Sequence, residues 1–409
     1  MNSNLRILLI CYHYPPSAVV GGKRPSNLVR EMVNNRCEVD VVSPAARYFD
    51  TVDENLTVYG HVYRTSVFPF CPRSPSSKSI YHLLLKIWKS FFTLVDRFEG
   101  FILSAFLKAM GLLRKRDYSA ILVSGPPFSP FIAAWLASFF SKVPLVLEYR
   151  DPWSNLERRK NNSAFRRFLE RQLEKLISNR ASAIVFVTDE MLNDFRKSFN
   201  SCSAPMKVIS SGCTAFPGIP EQARKDSSHL NVLYSGKFYG ERRIGLIASV
   251  LNDFIRDTGT KVTMTVLGNL KADDREQFMR DAPEAVLDEK GFLSYRKALE
   301  LTGKADILLL ISGRDVAYAV PFKFYDYLSS GKPVLAIAPE KSAMAGMMKK
   351  IDCGAFASID SSKQIESAFR KLASPEYVCT GSGKERYTWS RIASDYLDFL
   401  KEAVEGKLE

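Results

Sequence analysis

Apolar and polar positions alternate along the chain in two periods. Residues 6–11, 38–43, 120–123, 145–149 and 183–187 read as strands. Between them, 26–34, about 131–140 and about 164–178 carry apolar residues at helical spacing. The pattern dissolves over 210–228 into Gly, Pro, Ser and charges, which predicts a linker. It then restarts, with strands at 231–234, 262–267, 307–310 and 334–337, and helices at 244–254, about 294–301 and 323–329. A last amphipathic helix runs from 388 to about 404. Such alternation predicts parallel sheets covered by helices on both faces. The expected organisation is an α/β chain of two doubly wound, Rossmann-like domains facing a cleft. Residues 1–209 form the first domain, 210–228 the linker and 229–387 the second. The helix at 388–409 is expected to pack back toward the N-terminal domain.

Two stretches depart from this rhythm. Residues 118–141 carry no charge, long enough to suggest a membrane span, but Gly125-Pro126-Pro127 and Pro130 interrupt them. A strand, a turn and a helix fit better. The opening apolar run is short and Tyr14-Pro15-Pro16 follows it, so it reads as a first strand rather than a signal peptide. Residues 81–116 differ again. Leu84, Trp88, Phe91, Val95, Phe98, Ile102 and Phe106 recur at helical spacing, and residues 71–116 hold nine Lys or Arg against two Asp or Glu, a net of +7. A basic amphipathic helix suits the headgroup layer of an anionic membrane. A helical hairpin packed on its own domain accounts equally for the stripe.

Composition narrows the class. With 46% hydrophobic and 25% charged residues, the 409-residue chain is neither wholly disordered nor a polytopic membrane protein. Its net charge of +13 suits phosphate-bearing ligands, anionic membranes or nucleic acid. Seven Cys without a CxxC pair argue against a disulfide framework or structural zinc, and for a reducing compartment. There is no P-loop, no GxGxxG after a strand, no GxSxG and no Asp-x-Asp. Four His leave little for a His-based metal site, although His13 follows the first strand and is expected in the cleft.

Four stretches carry candidate chemistry, each where a strand ends. Gly21 and Gly22 allow backbone N–H groups to approach a phosphate, with Pro25 starting the next helix; an ordinary loop is the alternative. Arg150-Asp151-Pro-Trp153 follows an apolar strand and suits polar substrates, or is an ion pair fixing its loop. Gly236-Lys237 with Arg242 and Arg243 places three cations where they can neutralise a diphosphate; a solvated turn is the alternative. Pro321, Lys323, Asp326 and Gly331 mark a short helix whose first turn is an anion site. Lys323 stands beside that turn, on one face with Asp326, which can accept from a sugar's hydroxyls.

At this fourth stretch the chain resembles the family-4 glycosyltransferases of the GT-B fold. Their Pro-x-Lys-x-x-Glu-Tyr-Leu-x-x-Gly-Lys-Pro-Val signature reads here as Pro321, Lys323, Asp326, Tyr327, Leu328, Gly331, Lys332, Pro333 and Val334. The Pro-Pro…Gly-Gly opening, Arg150-Asp151-x-Trp153, Gly236-Lys237 with Arg243, Val266-Leu267-Gly268, Gly291-Phe292-Leu293 and Ala305-Asp306 follow in the family's order. The resemblance implies an N-terminal acceptor-side domain and a C-terminal domain that binds a nucleotide sugar. Gly21 and Gly22 would face the donor phosphates. Lys237 matches a diphosphate-binding Arg and Arg243 a Lys. The backbone near Phe292 and Leu293 would hold the base, Pro321 and Lys323 belong to the donor side, and Asp326 matches the Glu that holds the ribose. Asp151 would lie near the transferring sugar or acceptor, with Arg150 and His13 as the other candidate catalytic residues.

The implied activity is retaining sugar transfer from a nucleotide sugar, UDP before GDP, to a lipid-linked or saccharide acceptor in cell-surface polysaccharide assembly. It needs no cofactor and no bound metal. The expected place is the cytoplasm, peripheral to the inner face of the plasma membrane, with an anionic membrane surface as partner and no nucleic acid. Three departures stand out: Tyr318 replaces the family's first Glu, Asp326 shortens the second, and the Arg–Lys pair is inverted. They leave open a nucleotide-sugar epimerase of the same fold, or a catalytically degenerate relative acting as a membrane-bound assembly partner.

Overall fold

The computed structural model describes residues 5–68, 94–156, 163–214 and 228–406; residues 81–93 of the basic segment and 215–227 of the linker lie outside these. The chain divides into two compact units, residues 1–210 with 389–409, and residues 211–388.

In the first unit the strands are β1 (Arg6–Ile10), β2 (Glu38–Pro44), β3 (His61–Thr65), β4 (Ala120–Gly125), β5 (Leu145–Tyr149), β6 (Ala183–Phe186) and β7 (Met206–Val208). They lie in the order β3-β2-β1-β4-β5-β6-β7, every pair parallel. Helices α1 (Lys23–Asn34), α2 (Ile102–Leu113), α3 (Ser129–Ser138), α4 (Ala164–Arg180) and α5 (Asp189–Ser198) accompany them. Central strands of such a sheet are covered on both faces, which is why β1, β4 and β5 are apolar runs without alternation.

The second unit repeats the plan with β8 (His229–Ser235), β9 (Lys261–Leu267), β10 (Val286–Glu289), β11 (Ile307–Ile311), β12 (Val334–Ala338) and β13 (Gly354–Ser358). Their order is β10-β9-β8-β11-β12-β13, again all parallel. Its helices are α6 (Gly245–Thr258), α7 (Ala272–Asp281), α8 (Tyr295–Lys304), α9 (Phe322–Ser330), α10 (Ala343–Lys350) and α11 (Ser362–Ala373). The last helix, α12 (Trp389–Glu405), belongs to the first unit. It buries Trp389, Ile392, Tyr396, Leu397 and Leu400 and packs against α1.

Each sheet has one switch point, where the strand order reverses: between β1 and β4, and between β8 and β11. Loops leaving the carboxyl ends of those neighbours diverge there and open a crevice.

The basic segment, where described, is not one continuous helix. From residue 94 the chain turns, and α2 begins only at Ile102. Val95 and Phe101 are buried, and the Phe98 and Phe101 rings lie 4.2 and 5.4 Å from that of Tyr12. Asp96 accepts from the backbone N–H groups of Phe128 and Ser129 at 2.7 and 3.0 Å. It thereby caps α3 with a negative charge, as a helix N-terminus favours. This part of the apolar stripe is therefore core. The exposed apolar residues of α2 are Leu103 and Leu107, which lie off the predicted stripe.

Candidate functional site

In the second unit, α9 is set by its ends. Pro321 is the N-cap, and Gly331 closes the helix in the left-handed conformation at φ 68°. Phe324, Tyr325, Tyr327 and Leu328 face inward. This leaves Lys323 and Tyr327, one turn apart, on the face toward the end of β8. Lys323 Nζ donates to Ser235 O at 3.0 Å, and Ser235 N donates to Tyr327 Oη at 3.0 Å. One helix thus holds both backbone groups of the last residue of β8, across the switch point.

The loop beyond Ser235 is shaped by glycine. Gly236 has φ 142°, and a Cβ at Gly268 would stand 2.3 Å from Gly236 O. Only glycine at 268 lets the end of β9 pass under this loop, which gives Val266-Leu267-Gly268 its steric meaning. The loop is then tied to the one after β11. Arg242 pairs with Asp315 at 3.1 Å, and Arg314 bridges Glu241 and Asp360. The three cations therefore separate. Arg242 is committed to Asp315, whereas Lys237 and Arg243 are exposed and pair with no carboxylate among the described residues. Lys237 Nζ lies 5.4 Å from the centre of the exposed Phe292 ring, so the Gly291-Phe292-Leu293 loop stands beside the cationic one.

Asp326, on one helical face with Lys323, has a different partner. It accepts from the Tyr295 hydroxyl at 2.6 Å. Burial and the Asp326 carboxylate hold the Tyr295 phenol above its usual range, so it remains a donor. Lys323 pairs with no carboxylate among the described residues. Its ammonium is pulled down to about 7, chiefly by burial and then by Arg242. Ser312 Oγ, buried where β11 ends, has no hydrogen-bond partner among the described residues.

The first unit has its own cluster at the β1/β4 switch point. His13 and Ser17 follow β1, with Nδ1 and Oγ 3.2 Å apart. Burial first, and Arg150 second, lower His13 to about 4, so it is neutral at pH 7. Arg150 donates to Gly21 O and to Pro126 O, tying together the loops after β1, β4 and β5. A Cβ at Gly21 would meet Arg150 and His13 only at ordinary contact distance, so no crowding within the unit demands glycine there. Gly22 is the N-cap of α1, which starts at Lys23, ahead of Pro25. Asp151 lies half-buried beside Arg150. Behind the cluster, Arg24 and Glu148 form a buried ion pair at 2.9 Å, and Arg24 also donates to Ile209 O at 2.8 Å.

The residues expected from the sequence thus fall into two groups. His13, Gly21, Gly22, Arg150 and Asp151 gather in the first unit. Lys237, Arg243, Phe292, Leu293, Pro321, Lys323 and Asp326 gather in the second. Tyr295, Tyr327 and Asp96 were not singled out as chemistry. Tyr327 stood inside the quoted signature, but no local pattern marks the contact of Tyr295 with Asp326, 31 residues on, or that of Asp96 with the start of α3, 32 residues on.

Residues 21–212 match the family model described as a glycosyl transferase 4-like domain. The whole chain resembles a sucrose-phosphate synthase from Thermosynechococcus elongatus, with TM-score 0.66 and 15% identity over 98% of this chain and 100% of that one. It resembles the lipopolysaccharide outer core galactosyltransferase WaaB at TM-score 0.60 and 12% identity, covering 99% and 100%. A UDP-GlcNAc 2-epimerase from Neisseria meningitidis, bound to UDP-GlcNAc, aligns at TM-score 0.57 and 16% identity, covering 97% and 100%. No curated protein matches the chain in sequence. At these identities the structural likenesses establish the fold. The chain is a two-domain α/β protein of the GT-B class.

Proposed function

We propose that the protein is a glycosyltransferase that takes a sugar from a nucleotide sugar, UDP-linked before GDP-linked, and passes it to a lipid-linked or saccharide acceptor in cell-surface polysaccharide assembly. The observation that carries this is the β8/β11 switch point. There a glycine-shaped loop with Lys237 and Arg243 meets the N-terminus of α9 with Lys323. Backbone N–H groups of a helix start and unpaired cations are what a leaving diphosphate requires, with stabilisation growing as the sugar–phosphate bond breaks. Phe292 and Leu293 border the place for the base, and Tyr295 with Asp326 the place for the ribose. In the first unit, Asp151 is assigned to the transferring sugar or acceptor. His13 acts as a neutral hydrogen-bonding group, and Arg150 sets the loop that holds Gly21 and Gly22. Cations in place of an Asp-x-Asp clamp make donor binding metal-independent, and stereochemistry is expected to be retained.

The likeness to an epimerase favours a second reading, conversion of the nucleotide sugar itself. No His stands among the residues gathered at the β8/β11 switch point, which leaves that reading short of acid–base groups.

Peripheral attachment to an anionic inner membrane face is supported by α2 and its surroundings. Leu103, Leu107, Phe139 and Phe140 are exposed near Lys108, Arg114, Lys115 and Arg116, and the Phe106 and Phe140 rings lie 6.0 Å apart.

The donor assignment is tested with UDP and the variants Lys237→Ala and Arg243→Ala. Each loses a charge-assisted bond of about 1.5–3 kcal/mol, so affinity falls about tenfold or more. Unchanged affinity in both, or strict dependence on added Mg²⁺ or Mn²⁺, contradicts it.

A further inference from the structure

We propose that Lys323 couples donor binding to the uptake of one proton, the diphosphate supplying the negative charge that the unliganded site withholds from it. This rests on the donor reading above and concerns its regulation by pH.

The setting of Lys323 is unusual for a lysine. Nζ is held by one backbone acceptor, Ser235 O, and lies 4.4 Å from the centre of the Tyr234 ring. A Cβ placed on Gly236 would lie 3.4 Å from Nζ, so the amine stands against the loop that carries Lys237. The groups around it come from three elements. On β8, Tyr234 donates to Lys237 O and burial pushes its phenol up to about 12, so it stays neutral. On α9, Tyr327 is likewise held above its usual range by burial, and Asp326 accepts from Tyr295. On the loop after β8, Arg242 repels Lys323 while paired to Asp315 of the loop after β11, and Glu241 is taken by Arg314. Lys237 and Arg243 add positive charge. Around this amine the described residues therefore provide cations, neutral phenols and carboxylates already engaged.

A desolvated ammonium without a counter-ion favours its neutral form. The fall of Lys323 to about 7 agrees with that environment. When a diphosphate arrives beside the first turn of α9, the same burial strengthens the attraction between its charge and an ammonium. Above about pH 7 a proton then passes from solvent to Nζ, no other bond changes, and the complex contains the ammonium. By linkage, affinity declines as pH rises, by up to about tenfold per unit, until the amine also stays neutral in the complex. The sign for folding is opposite. The unfolded chain holds this proton between about pH 7 and 10.5 and the folded chain does not, so stability rises with pH across that window.

The test is titration calorimetry of the full chain with UDP-glucose and with GDP-mannose, whose diphosphate diesters keep their charge between about pH 6.5 and 8.5. At about pH 8, HEPES and Tris buffers differ in ionisation enthalpy and report the protons exchanged without adding a competing phosphate. Wild type is expected to take up close to one proton and to bind more weakly as pH rises. Lys323→Arg keeps a permanent charge, so it binds without uptake and without that pH dependence. Lys323→Met binds more weakly, takes up no proton and melts at a higher temperature than wild type near pH 7. Wild-type binding without proton uptake overturns this inference alone, as does uptake that persists in Lys323→Met. Absence of binding by either donor, at any pH in this range, overturns the donor reading and this inference with it.

Discussion

Asp326 is one methylene shorter than the Glu of the resembling family, and the Tyr295 hydroxyl donates to its carboxylate at 2.6 Å, so under the proposed ribose role the phenol would supply the lost reach. The phenol donates to Asp326 and still has lone pairs for a ribose hydroxyl. Tyr295→Phe is therefore expected to weaken UDP binding by about 0.5–1.5 kcal/mol, and Asp326→Ala by about 1.5–3 kcal/mol. Each variant should lose little more against whichever of 2′-deoxy or 3′-deoxy uridine diphosphate lacks its partner hydroxyl. If both variants bind UDP as wild type does and only their melting temperatures move, the ribose role is wrong. The sequence made Asp326 visible through its place in a motif, and helical spacing placed it on one face with Lys323. The structure gives each a different partner. Ser235 is 88 residues from Lys323, and no local pattern encodes such a contact. For the same reason the three cations after β8 looked equivalent, although Arg242 is drawn away by Asp315, 73 residues on.

At the scale of elements, legibility followed burial. Strands covered on both faces, such as Ile307–Ile311 and Val334–Ala338, are continuous apolar runs and were readable within a residue or two. Sheet-edge strands were not: His61–Thr65 and Met206–Val208 are short, partly exposed and polar in part, and Gly354–Ser358 is built of small residues. In the segment 94–116 the aromatic spacing is helical throughout, yet the chain turns before its helix begins at Ile102, and the stripe packs as core, as the alternative of a hairpin packed on its own domain expects. Capping of α3 by Asp96 and packing of Phe98 and Phe101 on Tyr12 impose a turn that spacing does not report. What stays exposed on α2 gives a sharper membrane test. Arg116 is paired with Asp40 at 2.9 Å, so the useful reversals are Lys108→Glu, Arg114→Glu and Lys115→Glu. Each basic residue near an anionic surface contributes about 1 kcal/mol, so the triple reversal should release the protein from vesicles rich in anionic lipid. Equal partitioning of variant and wild type would show that this face does not meet a membrane.

For the whole molecule, two similar sheets were legible because the strand–helix rhythm stops near residue 210 and restarts near 230. Their common strand plan places one crevice in each unit, and the candidate residues cluster at those crevices: His13, Gly21 and Arg150 in one, Lys237 and Lys323 in the other. What the donor carries was not legible. Tyr318 stands where the resembling family has a carboxylate, and residue types at the positions proposed for ribose and phosphate do not report the sugar. The central claim, transfer from a nucleotide sugar, is most directly tested by incubating the protein with a panel of nucleotide sugars, with and without polyprenyl-linked acceptors, and following both nucleotide release and the fate of the sugar. The account predicts that one donor releases its nucleoside diphosphate without added metal, faster when the matching acceptor is present, and that the sugar appears on the acceptor. Binding without turnover of any donor, or conversion of the donor sugar into its epimer, would contradict it.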